Sequence, residues 1–202
     1  MILTLALVAA YLLGSLPTGY LTARRLTGLD VRALGSGNVG ATNVARVIGK
    51  GAGLFVLVVD TLKGTIAVTL LPMLMARCAG LEAPPQWRWW CGLAVVIGHD
   101  WCCWLAFRGG KGIATSLGVL LGLAPVVAGW CAVTWLLIFA CSRIVSLSSM
   151  VASVTLPVSL MLLHYPREGV GIGLALGAIS VIRHKANIQR MLQRTEQKFT
   201  PS

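Results

Sequence analysis

Residues 51–75 read GAGLFVLVVDTLKGTIAVTLLPMLM, with Asp60 and Lys63 as the only charges. A transmembrane helix needs about 20 mainly apolar residues, so this stretch reads as a span. The two charges stand three residues apart on one helical face. There they can pair, which makes both tolerable in lipid. A structural pair is the favoured reading over a proton relay.

The same character extends outward in both directions. Apolar runs near 2–23, 88–107, 113–124, 126–141, 147–164 and 169–182 complete a set of seven predicted spans. The fourth, fifth and seventh are short for a straight crossing; tilting, extension into a loop or partial re-entry would accommodate them. Merging or discarding two of them would give five spans, and seven is the reading adopted. The whole chain is 56% hydrophobic and only 11% charged, more apolar side chain than a soluble domain of 202 residues can enclose. The expected fold is therefore all-α, a polytopic membrane helix bundle forming one domain over residues 1–202. The N-terminus lacks a positive leading segment, and its apolar run is too long for a cleaved leader. It is expected to be the first span.

The net charge of +11 is distributed unevenly. With the N-terminus outside, only Arg77, Arg88 and Arg167 fall on outer segments and Lys63 lies within a span. The remaining cations, from Arg24 and Arg25 through Arg194 and Lys198, fall on cytoplasmic segments. That orientation obeys the positive-inside rule, and the reverse violates it. The C-terminus is then cytoplasmic. Few aromatics accompany the basic clusters, so nucleic acid is not an expected partner. The six cysteines form no CxxC pair and read as small apolar packing residues, and no metal site or cofactor is expected.

Four unusual stretches fall on the predicted cytoplasmic side. The first is Gly35-Ser36-Gly37-Asn38-Val39-Gly40-Ala41-Thr42-Asn43, followed by Arg46. Glycines allow backbone amides to turn toward an anion. Ser36, Asn38, Thr42 and Asn43 add hydrogen-bonding groups, and Arg46 can clamp a phosphate. Alone, the stretch reads equally as a flexible loop with a helix cap at Thr42 or Asn43. The second is Phe107-Arg108-Gly109-Gly110-Lys111-Gly112-Ile113-Ala114-Thr115. It has the form of a phosphate-binding turn opening into a helix, without the spacing of a nucleotide P-loop. His99 and Asp100, nearby, could orient it. The third, Ser142 to Ser149, offers serines that cap a helix or touch substrate. The fourth runs Arg183-His184-Lys185-Ala186-Asn187-Ile188-Gln189-Arg190, then Thr195-Glu196. His184 and Asn187 share a face if the helix continues. A histidine among cations favours its neutral form and can act as donor or base. The bland alternative is a basic tail drawn to anionic lipid.

At these residues the chain closely resembles the bacterial acyl-phosphate:glycerol-3-phosphate acyltransferase family. The matching pieces are GSLPTGY from Gly14, GSGNVGATN with Arg46, Asp60-Thr61-Leu62-Lys63-Gly64, Gly98-His99, FRGGKGIATSLG, Val145-Ser146-Leu147, and RHKANIQR with Thr195 to Phe199. They occur in family order over nearly the whole chain. The resemblance implies transfer of a fatty acyl group from acyl phosphate to the 1-hydroxyl of glycerol 3-phosphate in the bacterial cytoplasmic membrane. Lysophosphatidate and phosphate are the implied products, and no obligate protein partner is implied. One departure is Cys102, where the family commonly has a proline.

The donor is a mixed anhydride, so an enzyme mainly needs to hold two phosphates and admit an acyl chain from the bilayer. Arg46 and Lys111 are the expected phosphate ligands, helped by Gly37, Gly40, Thr42, Asn43, Gly109, Gly110 and Gly112. Ser36, Asn38, Ser146, His184 and Asn187 are expected to position glycerol 3-phosphate or polarise the carbonyl. The base is either His184 or the substrate's own phosphate; no carboxylate is well placed by sequence. A transporter of a phosphorylated solute is the alternative of another class, disfavoured by the bare outer loops. A non-catalytic lipid scaffold leaves the glycine–lysine loops unexplained.

Overall fold

In the computed structural model, which describes residues 1–199, the chain forms ten α-helices. They are α1 (Ile2–Gly14), α2 (Thr18–Thr27), α3 (Ala41–Val47), α4 (Lys50–Cys78), α5 (Pro85–Asp100), α6 (Ile113–Leu123), α7 (Pro125–Ser142), α8 (Val145–Leu162), α9 (Arg167–Arg183) and α10 (Lys185–Leu192). Short 3₁₀ turns occupy Val31–Ala33 and Cys103–Leu105, and the described residues contain no strand. Four segments are long and apolar enough to cross a membrane: Ile2–Thr27, α4, α7 and α8. The other three expected spans are shorter, with 16 residues in α5, 11 in α6 and 17 in α9. At 1.5 Å per residue, α6 rises only about 16 Å.

The expected first span is not one helix. It breaks at Ser15-Leu16-Pro17 between α1 and α2. Proline has no amide proton and disfavours helical backbone in the residue before it. The carbonyls exposed at the break find donors from elsewhere. Lys63 Nζ donates to Gly14 O at 2.9 Å and to Leu16 O at 3.3 Å. Cys102 Sγ donates to Ser15 O at 2.8 Å, a bond that a proline there would not make. The predicted span at 88–107 likewise ends early, because α5 stops at Asp100 and the chain turns.

The chain divides into two compact units, Met1–Leu123 and the part from Ala124 onward. In the first, α1 packs against α5 and α4 against α6. The contacts are backbone-close: a side chain at Gly98 would collide with the Tyr11 carbonyl, and one at Gly118 with the Thr61 carbonyl. Small residues permit this approach, which lipid-embedded helices use in place of hydrophobic burial. Pro72 inside α4 leaves the Val68 carbonyl without its helical donor. Arg88 Nε supplies one at 2.8 Å, and Arg88 Nη2 also reaches Gly122 O at 2.8 Å. A cluster of Ala23, Val31, Val39, Val44, Val56, Cys102 and Leu105 is buried beneath the loops.

In the second unit, α8 packs against both α7 and α9. Pro157 frees the Ser153 carbonyl, and a side chain at Gly177 would meet that oxygen. Ser153 Oγ lies 2.7 Å from Ser180 Oγ, joining the two helices. Trp135 Nε1 donates to Ser149 Oγ at 3.1 Å between α7 and α8. Beyond α10 the chain folds back. Phe199 N donates to Arg143 O at 2.8 Å, and its ring lies 6.3 Å from that of Phe139. This return brings Glu196 to the start of α8.

Candidate functional site

Within the first unit, the stretch from Gly35 to Asn43 is organised by one buried amide. Asn43 Oδ1 accepts from Ser36 N at 2.9 Å. Asn43 Nδ2 donates to Leu34 O at 3.0 Å and Asn38 O at 2.9 Å, with Val31 O at 3.3 Å. Asn43 is 2% exposed, so its side chain is spent on the loop. Asn38 Oδ1 accepts from Gly40 N at 2.8 Å. The expected cap at Thr42 or Asn43 is not formed: Gly40 precedes α3 and no side chain caps it. Gly35 and Gly37 adopt φ of +56° and +71°, a region that other residues enter at a cost. The result leaves Ser36 and Arg46 on the exposed side of the loop. Among the described residues, a carboxylate engages the nearby Arg32 (Asp30, 2.7 Å) but not Arg46.

The glycine–lysine stretch does lead into a helix, α6 at Ile113. Its backbone is used differently from the sequence expectation. Gly109 N donates to Asp100 O at 3.1 Å and Gly110 N to His99 O at 3.0 Å. Gly37 N likewise donates to Leu34 O at 2.9 Å. These amides shape the loops and are not presented to an anion, so the expected amide cradle is narrower than the glycine count suggests. Gly112, at φ +71°, makes the turn into α6. A narrow cavity with room for about one water molecule is lined by Val39, Asp60, His99, Cys102 and Gly109, among others. The two glycine-rich stretches thus share a wall in the first unit.

The expected Asp60–Lys63 pair is present at 2.9 Å, with both side chains 3% exposed. Lys63 Nζ also lies 2.9 Å from His99 Nδ1. The pair and the histidine are each visible in the sequence, but Lys63 and His99 stand 36 residues apart and only the fold connects them.

In the second unit the expected residues Ser146 and Asn187 meet on a third group. Ser146 Oγ donates to Glu196 Oε1 at 2.6 Å, and Asn187 Nδ2 donates to the same oxygen at 2.6 Å. Arg190 Nε donates to Glu196 Oε2 at 2.7 Å. Burial alone would raise the Glu196 pKa. The three hydrogen bonds and the Arg190 charge outweigh it and hold the carboxyl below the ordinary range. Glu196 was not among the expected site residues. The available signal was that it is the lone acid in the basic stretch 183–198.

His184 and Asn187 do not share a continuous helix. His184 ends α9 and opens α10. Its Nδ1 lies 2.7 Å from Ser180 O; a carbonyl only accepts, so Nδ1 carries the proton and Nε2 of the neutral ring is the acceptor. The serines do not cap α8 either. Ile144 precedes it, Ser148 Oγ bonds back to Ile144 O, and Ser142 Oγ accepts from Ile144 N.

Comparison with known proteins gives these arrangements a family. The profile of the glycerol-3-phosphate acyltransferase family matches residues 4–194. A glycerol-3-phosphate acyltransferase of Gloeobacter violaceus is 47% identical over 95% of this chain and 92% of its own length. One from Desulforudis audaxviator is 44% identical over the same shares. The crystal structure of PlsY (YgiH), an integral membrane glycerol 3-phosphate acyltransferase in its glycerol 3-phosphate form, superposes with a TM-score of 0.87. It is 38% identical, over 98% of this chain and 96% of that one. Its lysophosphatidic acid form superposes at 0.85 with 37% identity. The chain therefore belongs to the glycerol-3-phosphate acyltransferase family and is an integral membrane acyltransferase.

Proposed function

We propose that this enzyme transfers a fatty acyl group from acyl phosphate to the 1-hydroxyl of glycerol 3-phosphate. Phosphate and 1-acylglycerol 3-phosphate (lysophosphatidate) leave, and the step is the first acylation of bacterial phospholipid synthesis. One observation carries the reading: likeness over 98% of the chain to an acyltransferase known in a glycerol 3-phosphate form and a lysophosphatidic acid form. Those molecules are the acceptor and product of this transfer.

In this reading Arg46 and Lys111 bind phosphate by charge-assisted hydrogen bonds. Gly37, Gly40, Gly109, Gly110, Gly112, Thr42 and Asn43 shape the loops that carry them. Ser36, Asn38, Ser146 and Asn187 position the acceptor and the donor carbonyl. The acceptor oxygen bonds to the acyl carbon, the bond from that carbon to the phosphate oxygen breaks, and its electron pair leaves with phosphate. The hydroxyl proton passes to His184 Nε2 or to the acceptor's own phosphate. Transfer is direct. Ser146 donates its proton to a carboxylate held below the usual range, and so weak a base does not activate a serine nucleophile.

We further propose seven spans in the cytoplasmic membrane, with the N-terminus outside and the chemistry on the cytoplasmic face. The cation distribution supports this orientation, and four segments already have the length and composition to cross. The acyl chain enters from the surrounding lipid.

The test uses purified protein and acyl phosphate, with and without glycerol 3-phosphate. Phosphate release is expected only with the acceptor and in step with lysophosphatidate formation. Equal release without acceptor would overturn the assignment. So would efficient acylation from acyl-CoA but not from acyl phosphate.

A further inference from the structure

The proposed reaction leaves Asp60, Lys63 and His99 without a task, although burying charge in α4 is costly. Their side chains are 3%, 3% and 8% exposed. A charge pair alone would need only Asp60 and Lys63. Lys63 Nζ does more: it reaches Gly14 O, Leu16 O and, at 2.9 Å, His99 Nδ1. An ammonium group only donates, so Nδ1 accepts and the ring proton of neutral His99 resides on Nε2. That nitrogen lies against the glycine–lysine loop, and a side chain at Gly110 would collide with it. The backbone of the same residue holds the loop too. His99 O accepts from Gly110 N at 3.0 Å, and Asp100 O accepts from Gly109 N at 3.1 Å. Lys111 follows immediately.

We propose that Asp60, Lys63 and His99 form a buried positioning relay. Asp60 anchors Lys63, Lys63 fixes the tautomer and orientation of His99, and His99 sets the Gly109–Gly110 turn that places Lys111 for substrate phosphate. Lys63 is thus a positioning residue and touches no substrate. The inference rests on the reading of Lys111 as a phosphate ligand. The bland alternative is that Lys63 only closes the break between α1 and α2, which would show in stability alone.

The test compares KM and kcat for both substrates, with thermal unfolding measured in parallel. Lys111→Ala first identifies which substrate's KM depends on Lys111. Lys63→Met and His99→Asn are expected to raise that same KM by about tenfold or more, as a misplaced contact does. His99→Gln, which carries a donor amide at the reach of Nε2, is expected to stay within about threefold of wild type. In a Lys111→Ala background, Lys63→Met should add little, because both act on one contact. If Lys111→Ala leaves both KM values unchanged, the reading of Lys111 fails and the relay loses its target. If Lys111→Ala raises KM but His99→Asn and His99→Gln behave alike, or Lys63→Met lowers only the unfolding temperature, the relay is overturned while Lys111 stands. Should Lys63→Met not fold, the His99 pair decides alone.

Discussion

The glycine-rich loops of the first unit and the Glu196 cluster of the second are built on opposite principles. The loops are held mainly by backbone and by two neutral amides: Asn43 ties Ser36 to its own neighbours, Asn38 accepts from Gly40 N, and the His99 and Asp100 carbonyls take the amides of Gly110 and Gly109. These partners lie close in sequence and are main-chain or side-chain amide groups. The second cluster hangs on a single carboxylate that gathers Ser146, Asn187 and Arg190, and Ser146 lies 50 residues from Glu196. A backbone-built loop resists single substitutions except where space is lacking or where a buried side chain such as His99 packs against the turn. A carboxylate hub fails at once when its charge is removed.

The most severe break of this contrast is Glu196→Ala. It takes the shared acceptor from Ser146, Asn187 and the 35% exposed Arg190, and hydrogen bonds to a charged group contribute on the order of 1.5–3 kcal/mol each. Loss of nearly all activity and a clearly lowered unfolding temperature in detergent are expected. A folded, active variant would show that the cluster is ornamental. Next come Arg46→Ala and Lys111→Ala, each removing one proposed charge-assisted phosphate contact of roughly 1.5–3 kcal/mol, or about tenfold to a hundredfold in rate at low substrate. Their unfolding temperatures should stay near wild type. A matched drop in stability would mean that these cations hold the loops and do not act on substrate.

A smaller effect separates the two regions by pH. The Glu196 pKa is depressed in the folded state, so its contribution to stability is fully present above the unfolded value of 4.5. It is lost as pH falls below that value through the folded one. Unfolding temperature should therefore decline more steeply below pH 4.5 in wild type than in Glu196→Gln. Parallel profiles would remove the carboxylate from the stability of this unit. The smallest effect is expected at Arg32, which sits in the same basic region as Arg46 but is paired at the surface with Asp30. Such pairs contribute about 0–1 kcal/mol, so Arg32→Ala should leave activity within about threefold. A loss equal to that of Arg46→Ala would extend the phosphate site to Arg32.

Much of this was legible along the chain because the signals are local. Apolar run length, the uneven distribution of cations and the family motifs all concern neighbouring residues. They marked the apolar helices and the two glycine stretches, and they nominate Ser36, Arg46, Lys111, Ser146, His184 and Asn187 for the proposed site. The Asp60–Lys63 pair was readable for the same reason, since three residues bring side chains together on any helix.

What the sequence determined alone is an all-helical membrane protein of this family, with polar and glycine-rich segments between its apolar runs. Apolar length and spacing impose the helices through the cost of unsatisfied backbone in lipid, and the motifs carry the family. Tertiary structure decided the rest, wherever a group's partner lies far along the chain. It chose Gly14 O, Leu16 O and His99 as partners of Lys63 beyond Asp60. It turned the Gly109 and Gly110 amides inward, and it made Glu196 the hub for Ser146 and Asn187. Hydrogen bonds are directional and short, so which donor meets which acceptor is settled only when the helices have packed.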